Sequence, residues 1–242
     1  MAQPPLHGII GSAAARRRRR GDGRWLIIGS LLPDVDFPLE WLAFPFGPQR
    51  AARLHRTGTH SLLMQAAFVA GWVVGSATAK VRDLRPRDDP ESDLRPHDAL
   101  VAAGAEGRDL FVGMALHSLT DVLLWFSPVA LAWPLGRLGL PETVDVWRGW
   151  QAPARLDNLL GAADDALWAV WLAGADEPSS PAVLASAAAF MLEVLPAWRW
   201  PADHYRLFHY GLVVPLLLPL QFTALQRSLG SGASRMGSQR MA

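Results

Sequence analysis

The chain has 242 residues, of which 50% are hydrophobic and 19% are charged, and its formal net charge is +1. It contains no cysteine, which excludes a disulfide framework, a thiolate metal site and a cysteine nucleophile. The apolar composition favours a protein that sits in a membrane. Any metal ion would have to be held by histidine, aspartate, glutamate or solvent.

Two short apolar segments open the chain, at residues 6–15 and 25–32. Each is too short to cross about 30 Å of hydrocarbon, so we expect short N-terminal helices that pack against a bundle or enter the membrane only partly. Five consecutive arginines at residues 16–20 lie between them. This run suits either anionic lipid headgroups or a nucleic acid. No aromatic residues are interleaved with the arginines, which favours lipid, and we expect no nucleic-acid partner.

Longer apolar segments follow, and none shows the period-2 alternation of a strand. They lie at residues 62–79, 110–135, 159–173, 181–198 and 207–225. These segments predict an all-α fold, a polytopic membrane bundle of about four to five membrane helices. Within the first of them, Gly71 and Gly75 have the small-xxx-small spacing that suits close helix packing. A soluble helical protein with apolar helices of similar length is the alternative interpretation.

The motifs that carry histidine and aspartate fall within residues 1–136, and residues 137–227 supply further membrane helices of the same domain. Residues 80–109 predict a polar connection that is exposed and partly disordered, and residues 228–242 predict a disordered tail. More basic residues precede the first long apolar segment than follow it, so the positive-inside rule puts the motif-bearing loops of this multi-pass protein on the cytoplasmic side. The sequence gives no oligomeric state.

The first motif is Leu-Pro-Asp-Val-Asp at residues 32–36, directly after a short apolar segment. Pro33 and the nearby Pro38 favour a turn here. Asp34 and Asp36 on such a turn can both face one or two cations, and next to a bilayer two carboxylates repel each other unless a cation neutralises them. An ordinary turn that caps a helix is the alternative.

The second motif is His-Arg-Thr-Gly-Thr-His-Ser at residues 55–61. Its glycine lets the backbone turn tightly, so His55 and His60 can face a common centre. Arg56 can bind a phosphate or carboxylate through two hydrogen bonds. Ser61 is expected to cap the helix that follows it.

The third motif is His117 with Asp121, four residues apart in an apolar stretch. On a helix this spacing puts both side chains on one face. Ionisable residues in an apolar helix are costly and are functional by default. A hydrogen bond between two helices is the alternative. His7, on the first short helix, can supply another imidazole.

Weaker candidates lie in the second half of the chain. Asp157, Asp164 and Asp165 can add a carboxylate, or they can form a helix start and a solvated face. His204 and His209 are expected at the membrane interface. No Gly-rich phosphate loop, HExxH or GxSxG pattern is present, so the phosphate-loop NTPase, zincin and α/β-hydrolase classes lack support.

These motifs together resemble the LexA-regulated, inner-membrane, metal-dependent hydrolase family, the YdjM-like family, over roughly residues 5–136. The resemblance rests on His7, the segments at 32–36 and 55–61, and Gly113-x-x-x-His117-x-x-x-Asp121. It implies a membrane-bound metal-dependent hydrolase of the inner membrane, with no defined substrate. The chain departs from the family at Phe37, where many members have histidine, and at Thr57.

We therefore predict a His/Asp metal centre near one membrane face, which holds zinc or, alternatively, manganese or iron. The predicted ligands are Asp34, Asp36, His60, His117 and Asp121, with His7 and His55 next. Asp36 is the candidate general base, and Arg56 would orient an anionic group. The metal would activate water for attack on an ester, such as the phosphoester or ester of a small molecule or a membrane lipid. A metal or proton transporter and a non-catalytic membrane scaffold are the alternatives.

Overall fold

The computed structural model describes residues 4–18, 23–36, 58–83, 96–124, 128–149, 154–175 and 180–239. These residues are mainly helical, which confirms the predicted all-α class. The helices are α1 (Pro4–Arg17), α2 (Arg24–Leu31), α3 (Leu62–Asp83), α4 (Pro96–Leu124), α5 (Ala154–Ala175), α6 (Pro181–Arg199), α7 (Ala202–Phe208) and α8 (Val214–Gln239). Two 3-10 turns, Leu32–Asp36 and Leu135–Leu138, and a π-helix, His209–Val213, complete the helical parts. In these ranges, the β pairing is an isolated antiparallel bridge between Val129 and Val144.

Within the described ranges, three helical stretches are long and apolar enough to cross a membrane. They are Leu62–Arg82, Pro181–Arg199 and Ala202–Gln226. The predicted number of about four to five membrane helices is not confirmed. The apolar segment at residues 110–124 is instead the second half of α4, a helix whose first half carries four charged residues.

The prediction of a polar, partly disordered connection at residues 80–109 is wrong at both ends. Helix α3 continues to Asp83 and α4 begins at Pro96, and residues 84–95 lie outside the described residues. The first half of α4 packs beside α3, where a Cβ atom at Gly107 would collide with the Val73 side chain, and its small residues Ala99 and Ala103 are buried. Its charges have partners: Lys80 Nζ lies 2.7 Å from Glu106 Oε2, and Arg18 pairs with Asp109. Ion pairs on both sides therefore let a charged sequence form a packed helix.

The last helix also extends further than the sequence predicts. Helix α8 begins at Val214 and runs to Gln239, so most of residues 228–242, the predicted disordered tail, is helical. The N-terminal segments behave as expected, because residues 6–15 and 25–32 fall largely within the short helices α1 and α2.

The chain forms two compact units, and the division falls within α1. The first, here called the N-terminal unit, comprises Ile10–Arg148, and the C-terminal unit comprises Met1–Ile9 with Gly149–Ala242. The core of the N-terminal unit is formed by Val69, Leu110 and Met114, with Trp25, Ile28, Leu32, Trp72, Val73 and Phe111 packed against them. The core of the C-terminal unit is formed by Ala162, Ala197 and Tyr205, with Leu159 and Phe190 packed against them.

Two glycines let α2 and α4 approach closely in the N-terminal unit. A Cβ atom at Gly29 would collide with the carbonyl of Leu110, and one at Gly113 would collide with the carbonyl of Leu26 and lie 2.8 Å from the Ser30 amide. The backbones are therefore in direct contact at this crossing, which brings the end of α2 and the turn after it to the middle of α4. Sequence spacing does not single out this pair of glycines.

The glycines that the sequence does single out behave differently. A Cβ atom at Gly71 or at Gly75 would meet no atom within 4 Å in the described structure. The expectation that these two glycines mediate close helix packing is therefore wrong for contacts within the described chain.

Candidate metal centre

Four acidic and imidazole side chains from three parts of the N-terminal unit converge, and we call them the His-Asp cluster: Asp34, His60, His117 and Asp121. Asp34 lies in the 3-10 turn that follows α2, and His60 lies just before α3. His117 and Asp121 share one face of α4, as their spacing predicts. All four side chains are buried. The structure thus brings together one or two residues of each sequence motif.

The ligand atoms of the cluster have the spacing of a metal coordination sphere. His60 Nε2 lies 3.0 Å from His117 Nε2 and 3.0 Å from Asp121 Oδ2. Asp34 Oδ1 lies 3.7 Å from His60 Nε2 and 3.4 Å from His117 Nε2, and His117 Nε2 lies 3.8 Å from Asp121 Oδ2. Atoms bound about 2.0–2.2 Å from a tetrahedral zinc ion are about 3.3–3.6 Å apart. Ligand atoms of His60, His117 and Asp121 therefore lie close enough together to bind one small cation, and Asp34 Oδ1 approaches both imidazole Nε2 atoms from a third segment.

The orientation of His117 is fixed from outside the cluster. Its Nδ1 atom lies 2.7 Å from the carbonyl oxygen of Ser30, to which it donates its proton. A ring that carries its proton on Nδ1 has a lone pair on Nε2, the atom that faces His60 and the carboxylates. Metal-binding histidines are typically held by such a contact at the other ring nitrogen. The close crossing of α2 and α4 is what brings the Ser30 carbonyl within reach.

His60 is held in a similar way, through two successive hydrogen bonds. The Thr59 hydroxyl donates to Asp36 Oδ2 at 2.6 Å, and His60 Nδ1 lies 3.1 Å from Thr59 Oγ1. Because the hydroxyl has one proton, which goes to Asp36, it accepts the proton of His60 Nδ1. Asp36, which the sequence predicts as a ligand and general base, therefore contacts the cluster through Thr59, an arrangement that supports a positioning role.

Two further polar residues hold the backbone around His60, and the motifs did not indicate either of them. Gln65 Nε2 donates to the Thr59 carbonyl at 2.9 Å and to Ser118 Oγ at 2.7 Å. Ser118 in turn donates to the His60 carbonyl at 3.2 Å. A buried glutamine one turn into a predicted membrane helix is the signal that could have indicated this role. These bonds tie the segment before α3 to α4.

Ser61 caps α3, as the sequence predicts. The Met64 amide donates to Ser61 Oγ at 3.4 Å, and the same hydroxyl donates to the Trp133 carbonyl at 2.5 Å. The cap therefore fixes both the start of α3 and its position relative to the segment that follows α4.

The two imidazoles of the cluster have opposite pKa shifts. Burial lowers the pKa of His60 below its ordinary value, and this effect outweighs the hydrogen bond to Asp121. Burial also acts to lower the pKa of His117, but the carboxylates of Asp34 and Asp121 outweigh it, so this pKa is raised. A neutral His60 with its proton on Nδ1 turns the Nε2 lone pair toward an Asp121 oxygen 3.0 Å away. Two electron pairs at this distance repel each other unless a proton or a metal ion lies between them, so the donor set is compatible with a metal ion.

The remaining candidate site residues are described to different extents. His55 and Arg56 lie outside the described residues, so their roles stay predictions. His7 is buried on α1, in the part that belongs to the C-terminal unit, and its role as a ligand also stays a prediction. His204 is exposed, whereas His209 is 2% exposed, and the expected position at the membrane interface stays a prediction for both.

Two carboxylates on α5 are also not on a solvated face. Asp164 is 8% exposed and Asp165 is 2% exposed. Both lie in the C-terminal unit, as does Asp157. The sequence left these residues between a carboxylate site and a solvent-facing helix surface, and the burial of Asp164 and Asp165 excludes the second alternative for these two.

The fold and the cluster define the class: a helical membrane protein with a buried set of histidines and aspartates between its helices. The chain belongs to the YdjM inner membrane protein family, whose model matches residues 7–200. No curated protein and no solved structure matches the chain. With three apolar helices among its described residues, this family member is an inner membrane protein. Regulation by LexA stays a prediction.

Proposed function

We propose that the protein is a membrane-bound, metal-dependent hydrolase whose His-Asp cluster binds a divalent cation. Zinc suits two imidazoles and two carboxylates best, and manganese or iron is compatible with the same donors. The observation that carries the proposal is the convergence of four ligand atoms from three segments, with five separations between 3.0 and 3.8 Å.

Each residue of the cluster has a definite part in this proposal. Asp34, His60, His117 and Asp121 bind the cation. A cation bound there lowers the pKa of a water molecule and polarises an ester bond. The Ser30 carbonyl and the Thr59 hydroxyl keep both imidazoles in the tautomer that presents Nε2. Burial of the cluster keeps bulk water away, and this strengthens the electrostatic interactions of its charged groups.

The proposed substrate is a phosphoester or a lipid ester. His60 lies directly before the candidate span Leu62–Arg82, which puts the cluster beside one end of a membrane helix. The ester linkages of membrane lipids lie at this interfacial depth, between about 30 Å of hydrocarbon and the aqueous phase. The predicted role of Arg56, to orient an anionic group of the substrate, is part of the proposal.

The position of the cluster favours an enzyme over a transporter. None of its four residues falls within the candidate spans Leu62–Arg82, Pro181–Arg199 and Ala202–Gln226. A transporter would be expected to bind its ion near the middle of the membrane, whereas a hydrolase of lipid esters needs its site near one face.

Metal analysis of the full-length protein, purified in detergent without chelator, tests the metal centre. We expect stoichiometric metal in the wild type and loss of one equivalent in His117→Ala and in Asp121→Asn. The matched controls are His97→Ala and Asp98→Asn on the same helix, whose side chains are 80% and 51% exposed. Wild-type protein without stoichiometric transition metal would contradict the proposal.

Hydrolysis assays on the same variants then test the reaction. Phosphodiesterase and lipase substrates in mixed micelles should be cleaved by the wild type and by the two controls, and at least about 100-fold more slowly by Asp121→Asn. Cleavage that survives this substitution unchanged would separate the activity from the cluster and overturn the mechanism.

A further inference from the structure

A second group of buried ionisable residues lies within the C-terminal unit, and we call it the Glu193 cluster: Asp165, Glu193, Tyr205 and His209. It shares no residue with the His-Asp cluster. Glu193 is 0% exposed and lies in the candidate span Pro181–Arg199. His209 is 2% exposed and lies in the candidate span Ala202–Gln226. Ionisable groups buried in membrane helices are costly, so such a group calls for a function.

Glu193 is the centre of this cluster. The Tyr205 hydroxyl donates to Glu193 Oε2 at 2.9 Å. His209 Nδ1 lies 3.0 Å from Oε1 and 2.9 Å from Oε2. The Glu193 carboxylate therefore faces His209 with both of its oxygens.

Asp165 brings a second carboxylate to the same place. One ligand atom each of Asp165, Glu193 and His209 lie within 4.8 Å of one another. Asp165 Oδ2 is buried and accepts no hydrogen bond from any residue that the structure describes. The cluster therefore has a buried carboxylate oxygen in position to bind a cation.

The backbone at His209 is also unusual. The chain changes from α-helix to π-helix at His209–Val213 and returns to α-helix at Val214. Such wide turns are rare and occur frequently at functional sites, because they rotate the following side chains relative to a regular helix. Tyr205 and His209 stack with ring centroids 5.7 Å apart, so the turn begins where both rings meet Glu193.

We propose that Asp165, Glu193 and His209 form a second divalent cation site, built from helices α5 and α6 and the π-helix. Its donors are two carboxylates and one imidazole, a set that suits manganese, iron or zinc. Tyr205 fixes the Glu193 carboxylate through its hydroxyl. The inference does not depend on the hydrolase function, because none of these residues belongs to the His-Asp cluster.

Zinc loading of the full-length protein in detergent tests this site. The protein is stripped with chelator, equilibrated with Zn²⁺, desalted and analysed by emission spectrometry. We expect two equivalents in the wild type and one fewer in Asp165→Asn, in Glu193→Gln and in His209→Gln. His204→Ala is the matched control, because His204 lies on α7, close to His209 in the chain, and is exposed. It should keep both equivalents.

His117→Ala separates the two proposals. In this variant the second site should keep one equivalent, and adding Glu193→Gln should remove it. If Asp165→Asn, Glu193→Gln and His209→Gln keep the wild-type metal content, or if His117→Ala alone removes all metal, the second site is overturned and the cluster is a buried ion pair or a proton site. Should a variant fail to fold, Co²⁺ absorption of the folded His117→Ala protein decides: a bound-cobalt spectrum supports the site, and its absence overturns it.

Discussion

The two buried clusters differ in where their hydrogen bonds go. In the His-Asp cluster, each imidazole is held from outside, His117 by the Ser30 carbonyl and His60 by Thr59. In the Glu193 cluster, the polar groups bond to one another, since Tyr205 and His209 both contact Glu193. Removing a member should therefore affect ligand binding most in the first cluster and folding most in the second.

The largest effect is expected for Glu193→Ala. The substitution leaves the Tyr205 hydroxyl and His209 Nδ1 without their shared acceptor in apolar surroundings, and breaking a buried pair in this way costs about 3–5 kcal/mol. We expect a clear loss of thermal stability in detergent, measured on metal-free protein. Leu192→Ala is the control on the same helix, because Leu192 is 71% exposed. Equal melting of the two variants would contradict a stabilising role for the cluster.

The next largest effect is expected for a substitution at the α2–α4 crossing, which positions His117. Gly113→Ala puts a Cβ atom against the carbonyl of Leu26 on α2, and overpacking of this kind costs about 1–3 kcal/mol. Because α2 must move away, the Ser30 carbonyl would leave His117 Nδ1, and metal content should fall together with stability. Thermal unfolding and metal analysis of the same preparations check both effects.

Gly104→Ala is the matched control for this prediction. Gly104 lies on the same helix, and a Cβ atom there meets nothing within 4 Å among the described residues. Alanine stabilises a helix interior relative to glycine by about 0.5–1 kcal/mol, so this variant should be as stable as the wild type or slightly more so. If both glycine variants lose metal equally, the α2–α4 contact is not what positions His117.

A smaller and more selective effect is expected for Thr59→Val. Valine keeps the shape of threonine but cannot accept from His60 Nδ1 or donate to Asp36. Loss of such a supporting contact typically weakens metal binding about 10–100-fold. Thr78→Val, at an exposed threonine on α3, should leave the affinity unchanged. Competition with a chromophoric chelator measures both, and an unchanged affinity in Thr59→Val would show that Asp36 does not act through Thr59.

The sequence predicted the parts of the site that depend on local spacing. The i, i+4 relation of His117 and Asp121 and the cap at Ser61 follow from helix geometry alone, and both are present. The place of Asp36 could not be predicted, because it depends on Thr59, which lies 23 positions further along the chain. Hydrogen bonds between segments that are far apart in the chain produce no regular spacing of residues in the sequence.

The Glu193 cluster was missed for a related reason. Glu193 and His209 are 16 positions apart, on two different helical elements. The spacing of residues along one helix therefore does not indicate this contact. Conversely, the first half of α4 was predicted as a loop from its charges, although Ala99 and Ala103 already have the spacing of a packed helix face.

The smallest effect on stability is expected at Gly71. It tests whether close helix packing through glycine is confined to the α2–α4 crossing. Gly71 has the small-xxx-small spacing with Gly75, yet a Cβ atom added at either position would meet no atom within 4 Å among the described residues. Gly71→Ala should therefore raise helix stability by at most about 1 kcal/mol and leave metal content unchanged, in contrast to Gly113→Ala. Thermal unfolding in detergent measures the difference. A loss of stability as large as that of Gly113→Ala would mean that α3 packs through Gly71 against a surface outside the described chain, such as a second copy of the protein.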